Sequence, residues 1–354
     1  MQSVNKKILL SSFSISVLLV FLACRKDPKI PEKKIDPPIY NINFSVPQGW
    51  PQPVYSFQNN TLSEAGFKLG RKLFFDTRLS RNNTISCGSC HQQFAGFAHS
   101  AHSLSHGIDG LFGIRNAPGL FNLNWHPSFM WDGGVNHIEI QPLTPIINPV
   151  EMDESMNNVI LKLNSDLTYQ QLFVNAYGDN VINSQRIFRA IAQFQGMLVS
   201  SNAKYDKYLR GQTTLSTSEQ NGLNLFSQKK CNTCHKPPLF SDFTFKNNGL
   251  SYNAALKDSG RSHITGVTAD RNKFKVPSLR NVTVTAPYMH DGRFNTLAQC
   301  LEHYNTGINQ TENLDTLLKN SIPMSQQEMQ DIINFLGTLR DNDFLKDPRF
   351  KNPN

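Results

Sequence analysis

The pentapeptide Cys-x-x-Cys-His occurs twice, as CGSCH with Cys87, Cys90 and His91, and as CNTCH with Cys231, Cys234 and His235. Two thiols at this spacing can each add across one vinyl group of a single haem, and the histidine that follows is placed to bind its iron. Each copy reads as a covalent c-type haem tether with a built-in axial ligand, which commits the chain to packing helices around two macrocycles. The competing readings of such a pair are a zinc site and a redox dithiol. The two copies lie more than a hundred residues apart, too far for a zinc knuckle, and neither sits in a thioredoxin-like βαβ pattern.

The lead-in to each motif is also repeated. Gly-x-x-Leu-Phe stands at Gly70 to Phe74 and again at Gly222 to Phe226, and a capping-box pattern precedes each, Thr61 with Glu64 and Ser216 with Glu219. This is an internal duplication. Apolar residues at helical spacing predict one helix with Leu62, Leu69 and Leu73, one with Met156, Val159, Ile160 and Leu163, and one with Ile187, Ile191, Phe194 and Leu198 on a single face. A further helix, capped by Ser325 and Glu328, turns Met329, Ile332, Ile333 and Leu336 inward. No run of alternating strands is present. The expected fold is mostly α, two cytochrome c-like domains with one covalent haem each and long loops between helices. The boundaries read as residues 56–200 and 201–354.

The first residues read as an export signal: Lys6 and Lys7, an apolar run over residues 8–23, then Ala23 and Cys24. The run is short against the roughly 20 residues that cross a bilayer. Ala23 before Cys24 has the form of a bacterial lipoprotein signal, so residues 1–24 are expected to be the leader, with Cys24 lipidated and the body held to a membrane on the periplasmic side. An ordinary cleaved signal, or an uncleaved anchor that happens to end in cysteine, is the alternative. Residues 25–55 begin with a proline- and charge-rich stretch that reads as a flexible tether. With four cysteines on haem and Cys24 on lipid, only Cys300 remains, which excludes a disulfide within the mature chain. The net charge of +8 has no clustered basic stripe with interleaved aromatics, so nucleic-acid binding is not expected.

From Phe97 to Met152 the sequence is rich in Gly, Pro, His and Asn with little helical periodicity. A long irregular segment that keeps tryptophans and carboxylates argues for function over disorder. Trp50 and Trp125 read as packing residues.

The chain resembles the bacterial di-haem cytochrome c peroxidase family, which includes the MauG-type enzymes. The resemblance is carried by LFFDTRLS…SCGSCH (Leu73 to His91), SHG (Ser105 to Gly107), RNAPGLFN (Arg115 to Asn122), WDG (Trp131 to Gly133), IEIQPLTPIINPVEM (Ile138 to Met152), CNTCH, FKVPSLRNV (Phe274 to Val282) and TAPYMHDGRF (Thr285 to Phe294). It implies reduction of hydrogen peroxide at the N-terminal haem, with electrons entering from a small donor protein, a cytochrome c or cupredoxin, at the C-terminal haem. A homodimer stays open. Glu151 matches the family's distal carboxylate and Gln141 its orienting amide; read without the resemblance they are a helix-start acid and a loop amide. Trp131 matches the tryptophan between the haems, where a core anchor is the alternative. His106 stands near the position of a displaceable distal iron ligand, in a region that also holds His99 and His102; a solvated loop histidine is the other reading.

For the sixth ligand of the second haem the resemblance points to Tyr304, where peroxidases carry methionine and MauG-like enzymes tyrosine. Met289 competes, and a core tyrosine is the plain alternative. Leu297, Cys300, Leu301 and Tyr304 share one helix face, from which His303 is expected to point away. The family's calcium ion maps onto Asn116, Thr285 and Pro287, and His290 and Asp291 beside them are expected to shape the interface between the haems. Three functions follow: a peroxidase, a MauG-like oxidase that uses peroxide to modify a partner protein, and a non-catalytic electron carrier.

Overall fold

The computed structural model describes residues 42–353, so Cys24 and the expected leader lie outside the described residues. Its helices are α1 (Glu64–Phe74), α2 (Cys87–Cys90), α3 (Leu143–Ile147), α4 (Met156–Asn164), α5 (Leu167–Tyr177) and α6 (Ser184–Gly196), followed by α7 (Lys204–Leu209), α8 (Thr217–Gln228), α9 (Ser262–Thr265), α10 (Leu297–Thr306), α11 (Gln326–Gly337) and α12 (Asn342–Lys346). Among the described residues the only sheet is a two-residue antiparallel pair, β1 (Phe245–Lys246) with β2 (Phe274–Lys275). No described helix is long and apolar enough to cross a membrane.

The duplicated sequence has a packing cause. Helix α1 crosses α6 at Gly70, where any side chain would run into the backbone carbonyl of Ala190. Helix α8 crosses α11 at Gly222, where a side chain would meet the carbonyl of Asp331. In both copies the glycine lets two helix backbones approach, and the Leu-Phe that follows turns into the core: Leu73, Phe74 and Phe226 are all buried. Each crossed pair then delivers its chain to a CxxCH turn.

Among the described residues three apolar cores result. Phe67, Phe74, Phe97 and Phe194 form the first, and the returning C-terminal segment adds Phe344 and Phe350 to it. The second lies between α1, α4, α5 and α6, around Leu69, Val159, Tyr169 and Ile187. The third holds Phe226, Phe240, Ile332 and Phe335. Arg280, fully buried, pins α7 to the loop after the second CxxCH motif through both oxygens of Asp206, at 2.7 and 2.8 Å, and through the Pro238 carbonyl.

Two local expectations are corrected. The cap of α1 is Ser63, whose Oγ accepts from the Gly66 N–H at 3.0 Å, and Glu64 is the first helical residue, paired with Lys68. Thr61 is not the cap because Ser63 offers the same hydroxyl two residues closer to the apolar face. His303 does not point away from the core. It is buried, its Nε2 bonded to the Asn248 carbonyl at 2.9 Å, because the loop after β1 covers that side of α10. The boxes at Ser216/Glu219 and Ser325/Glu328 form as expected.

Candidate active site: two haem cradles on one cavity

The first CxxCH motif folds as the single turn α2, closed at its start by Ser86 N–H donating to Ser89 Oγ and at its end by His91 N–H donating to the Cys87 carbonyl. The turn brings Cys87 and Cys90 to one wall and swings the His91 ring back over it. His91 Nδ1 lies 2.7 Å from the Phe97 carbonyl. Donation there assigns the proton to Nδ1 and leaves Nε2 as the free lone pair. The second motif repeats the device. His235 N–H donates to the Cys231 carbonyl, the Cys234 carbonyl accepts from the Asp242 N–H, and His235 Nδ1 lies 3.2 Å from the Phe240 carbonyl and 3.1 Å from that of Pro277.

A cavity of about 960 Å³ is lined by Cys87, Cys90, Cys231 and Cys234, by both histidines and by a largely apolar wall. Burial pushes the thiols up, Cys87 to about 12 and Cys90 and Cys231 to about 11, with Cys234 raised in the same way, and holds His91 down at about 4. Neutral thiols in an apolar wall are poor zinc or redox thiolates. With an imidazole presenting Nε2 beside them, they fit two covalently held haems.

The same cavity gathers the other sequence-derived candidates. Glu151, Gln141, Trp131, His106, Tyr304 and Met289 all line it. Glu151 sits on a turn after α3 and not at a helix start. Its N–H donates to the Asn148 carbonyl, and its own carbonyl accepts from Ile108. Gly107 permits this approach, since a side chain there would collide with the Glu151 backbone; this is the reason for glycine in SHG. Burial raises the Glu151 carboxyl above its ordinary value, and a hydrogen bond with Asn148 draws it partly back. Gln141 is buried and accepts at Oε1 from Gln195 Nε2, 3.1 Å away on α6.

Trp131 bridges the two halves of the sequence. Its indole N–H donates to the Asn116 carbonyl at 2.9 Å, while its carbonyl accepts from the Lys275 N–H at 2.7 Å on β2. Arg115 adds a second bridge, to Asp258 at 2.6 and 2.8 Å and to Asp132 at 2.5 Å. Behind it His290 stacks on Phe274 with ring centres 3.7 Å apart.

Asn116, Thr285 and Pro287 also line the cavity. Asn116 turns its Nδ2 to the carbonyls of His102 and Ser103, which leaves Oδ1 as the end able to coordinate a hard cation. On the opposite side Tyr304 and Met289 meet at one residue, Asn248. Its Nδ2 lies 3.7 Å from Met289 Sδ, and its side chain is close enough to the Tyr304 hydroxyl to draw the phenol partly down. Burial pushes the Tyr304 phenol up to about 12. Gln195 and Asn248 carry no motif. The one signal for Gln195 is AQFQG itself, two amides in a helix end whose neighbours are all apolar or glycine.

A family model described as di-haem cytochrome c peroxidase matches residues 64–214. Over 303 residues the chain is 35% identical to the methylamine utilization protein MauG of Methylorubrum extorquens, covering 84% of this chain and 83% of that protein. The chain belongs to the di-haem cytochrome c peroxidase family. It is also 37% identical over 240 residues to the cytochrome c551 peroxidase of Nitrosomonas europaea, covering 66% of this chain and 71% of that one. Among solved structures, a MauG-like protein associated with microbial copper homeostasis superposes with a TM-score of 0.80 at 32% identity, over 88% of this chain and 99% of its own. Membership in this family makes haem c the cofactor of the two cradles, in keeping with the donor chemistry of the cavity.

Proposed function

We propose that the protein is a di-haem cytochrome c peroxidase that reduces hydrogen peroxide to water, with one electron at a time drawn from a small donor protein, a cytochrome c or a cupredoxin. The observation that carries this reading is a carboxyl group and a buried amide, Glu151 and Gln141, in the wall of the cavity that holds the first CxxCH motif. A pure electron carrier has no use for an acid-base group there.

The overall step consumes one peroxide, two electrons and two protons and releases two waters, the O–O bond being the one broken. The haems, when bound, supply the electrons. Glu151 takes the proton from the near oxygen of peroxide and returns it to the far one, which then leaves as water. Gln141 presents its amide donors to the same space because Gln195 occupies its carbonyl end. Trp131, joined by hydrogen bonds to both halves of the sequence, would carry electrons between the two cradles, from the C-terminal one to the N-terminal one. The halves divide near residue 201 into a peroxidatic and an electron-entry domain. His106 would be the displaceable ligand at the first cradle, and Tyr304 or Met289 would be the remaining ligand at the second. Asn116 Oδ1 with the carbonyls of Thr285 and Pro287 holds calcium. The chain is exported and lipidated at Cys24, which places the enzyme in the periplasm on a membrane anchor.

One observation favours the MauG-like oxidase as a second reading: the Tyr304 hydroxyl lies in the cavity wall beside the second cradle. The two readings part in one experiment. Peroxide given with a reduced cytochrome or cupredoxin should be turned over rapidly by a peroxidase. A long-lived absorption change on adding peroxide to the oxidised protein, with slow turnover, would instead support the oxidase.

A further inference from the structure

Three histidines close on one another in the loop that follows the first CxxCH turn. The ring centres of His99 and His102 are 4.4 Å apart and stacked, those of His102 and His106 are 4.4 Å apart, and those of His99 and His106 are 4.9 Å apart. One nitrogen from each ring lies within 4.8 Å of the other two, and the group consists of imidazoles alone. Its members are graded from inside to outside: His99 is 3% exposed, His106 half-buried and His102 at the surface. His99 Nδ1 is buried without a hydrogen-bond partner. A buried ring nitrogen left unpaired is costly, and such groups call for an explanation.

The backbone beneath the rings is fixed from the outside. His99 N–H donates to the Ala117 carbonyl and Ser105 N–H to that of Arg115, while Asn116 Nδ2 holds the carbonyls of His102 and Ser103. Three side chains therefore converge from a loop whose main chain is already tied down, which is how a ligand set is preorganised.

We propose that His99, His102 and His106 bind one late first-row transition-metal ion, Zn(II) or Cu(II), through three imidazoles, leaving a further position open to water. Imidazole suits both ions, and three histidines with an open position is a stable arrangement for either. Tetrahedral coordination with metal–nitrogen distances of about 2.1 Å places donor atoms about 3.4 Å apart. The rings must therefore draw together by about an ångström or a little more, a movement that the exposed His102 and half-buried His106 supply by side-chain rotation. His102 at the surface is also the entry point for the ion. His106 lines the haem cavity, so a metal that holds its imidazole withdraws it from the iron; this consequence rests on His106 being the displaceable ligand proposed above, whereas the site itself does not. Metal loading then keeps the peroxide side of the first haem open.

The test uses haem-loaded protein passed over a chelating resin, resupplied with calcium, and titrated separately with Zn(II) and Cu(II). Bound metal per chain is measured by elemental analysis, with Cu(II) EPR of the loaded protein. The expected result is one equivalent of at least one ion, nitrogen hyperfine structure from three imidazoles in the copper form, and affinity weakened by about tenfold or more in His102→Ala. His102 is exposed, so its loss leaves the fold and the haem absorption in place, and competition between the two ions identifies the one preferred. Uptake of neither ion, or equal uptake and affinity in wild type and His102→Ala, overturns the proposal. Peroxide turnover of the stripped protein, measured alongside, shows separately whether the peroxidase reading stands.

Discussion

Gln195 Nε2 donates to Gln141 Oε1 at 3.1 Å, and both side chains are buried. An amide can present either end to a cavity, and this bond decides the matter by occupying the carbonyl end of Gln141. Gln195→Leu should let the amide turn. The expected loss is one hydrogen bond of about 1 kcal/mol, roughly a fivefold fall in kcat for peroxide. KM for peroxide and the haem absorption should stay as they are. Steady-state kinetics of the two proteins check this, and an equal rise in KM would point to general disturbance of the cavity instead of positioning.

Glu151 has the only carboxyl among the candidate proton-transfer groups, and burial raises it above its ordinary value. The basic form, present above the raised pKa, is the one that accepts a proton from peroxide. Activity should therefore fall as pH drops through a value higher than an ordinary glutamate's. Glu151→Gln should remove that acidic limb and cost about 10²- to 10⁴-fold in turnover. A pH–rate profile of wild type and variant, measured with one donor protein, decides it. Retention of the limb in the variant would assign it to another group.

The parts of this site that are legible in the sequence are those whose chemistry demands a spacing. Thioether attachment requires Cys87, Cys90 and His91 to be neighbours in sequence, and likewise Cys231, Cys234 and His235, so both cradles can be read without a fold. Helices α4, α6 and α11 are legible because burial on one face imposes a period on their apolar residues. Gln195 and Asn248 obey neither constraint. Gln195 reaches Gln141 across 54 positions and Asn248 reaches Met289 across 41, and no local pattern encodes either meeting. His303 misleads for a related reason. Its helix face follows from period alone, but the loop carrying Asn248 covers that face and makes it interior. Thr61 misleads through a rival, since Ser63 has the same capping chemistry and lies nearer the helix.

Asn248 touches both candidates for the remaining ligand of the second haem, so single substitutions can tell them apart. Tyr304→Phe removes the hydroxyl while keeping the ring in its packed place, and Met289→Leu removes the thioether at nearly constant volume. If Tyr304 is the ligand, its variant alone changes the low-spin haem's EPR and absorption, and an unchanged spectrum eliminates it. The same logic applies to Met289. Changes in both variants would trace to Asn248, whose amide would then have lost a partner in either case.

One sequence repeat supplies both cradles. Gly70 and Gly222 occupy equivalent places in the duplicated sequence, and each stands where a neighbouring helix brings a backbone carbonyl against it, from Ala190 and Asp331 respectively. A backbone carbonyl cannot rotate away as a side chain can, so the helices must separate to admit a methyl group. Gly70→Ala and Gly222→Ala should each lower stability by about 1–3 kcal/mol or more, the usual cost of overpacking, against an intrinsic helix preference for alanine that works in the opposite direction by about 1 kcal/mol. Gly337 provides the control, since a methyl group there meets nothing within 4 Å. Gly337→Ala should be neutral or slightly stabilising. Denaturant unfolding of the three haem-loaded variants measures the difference. Equal stability of Gly222→Ala and Gly337→Ala would show that close helix crossing is not what the repeat preserves.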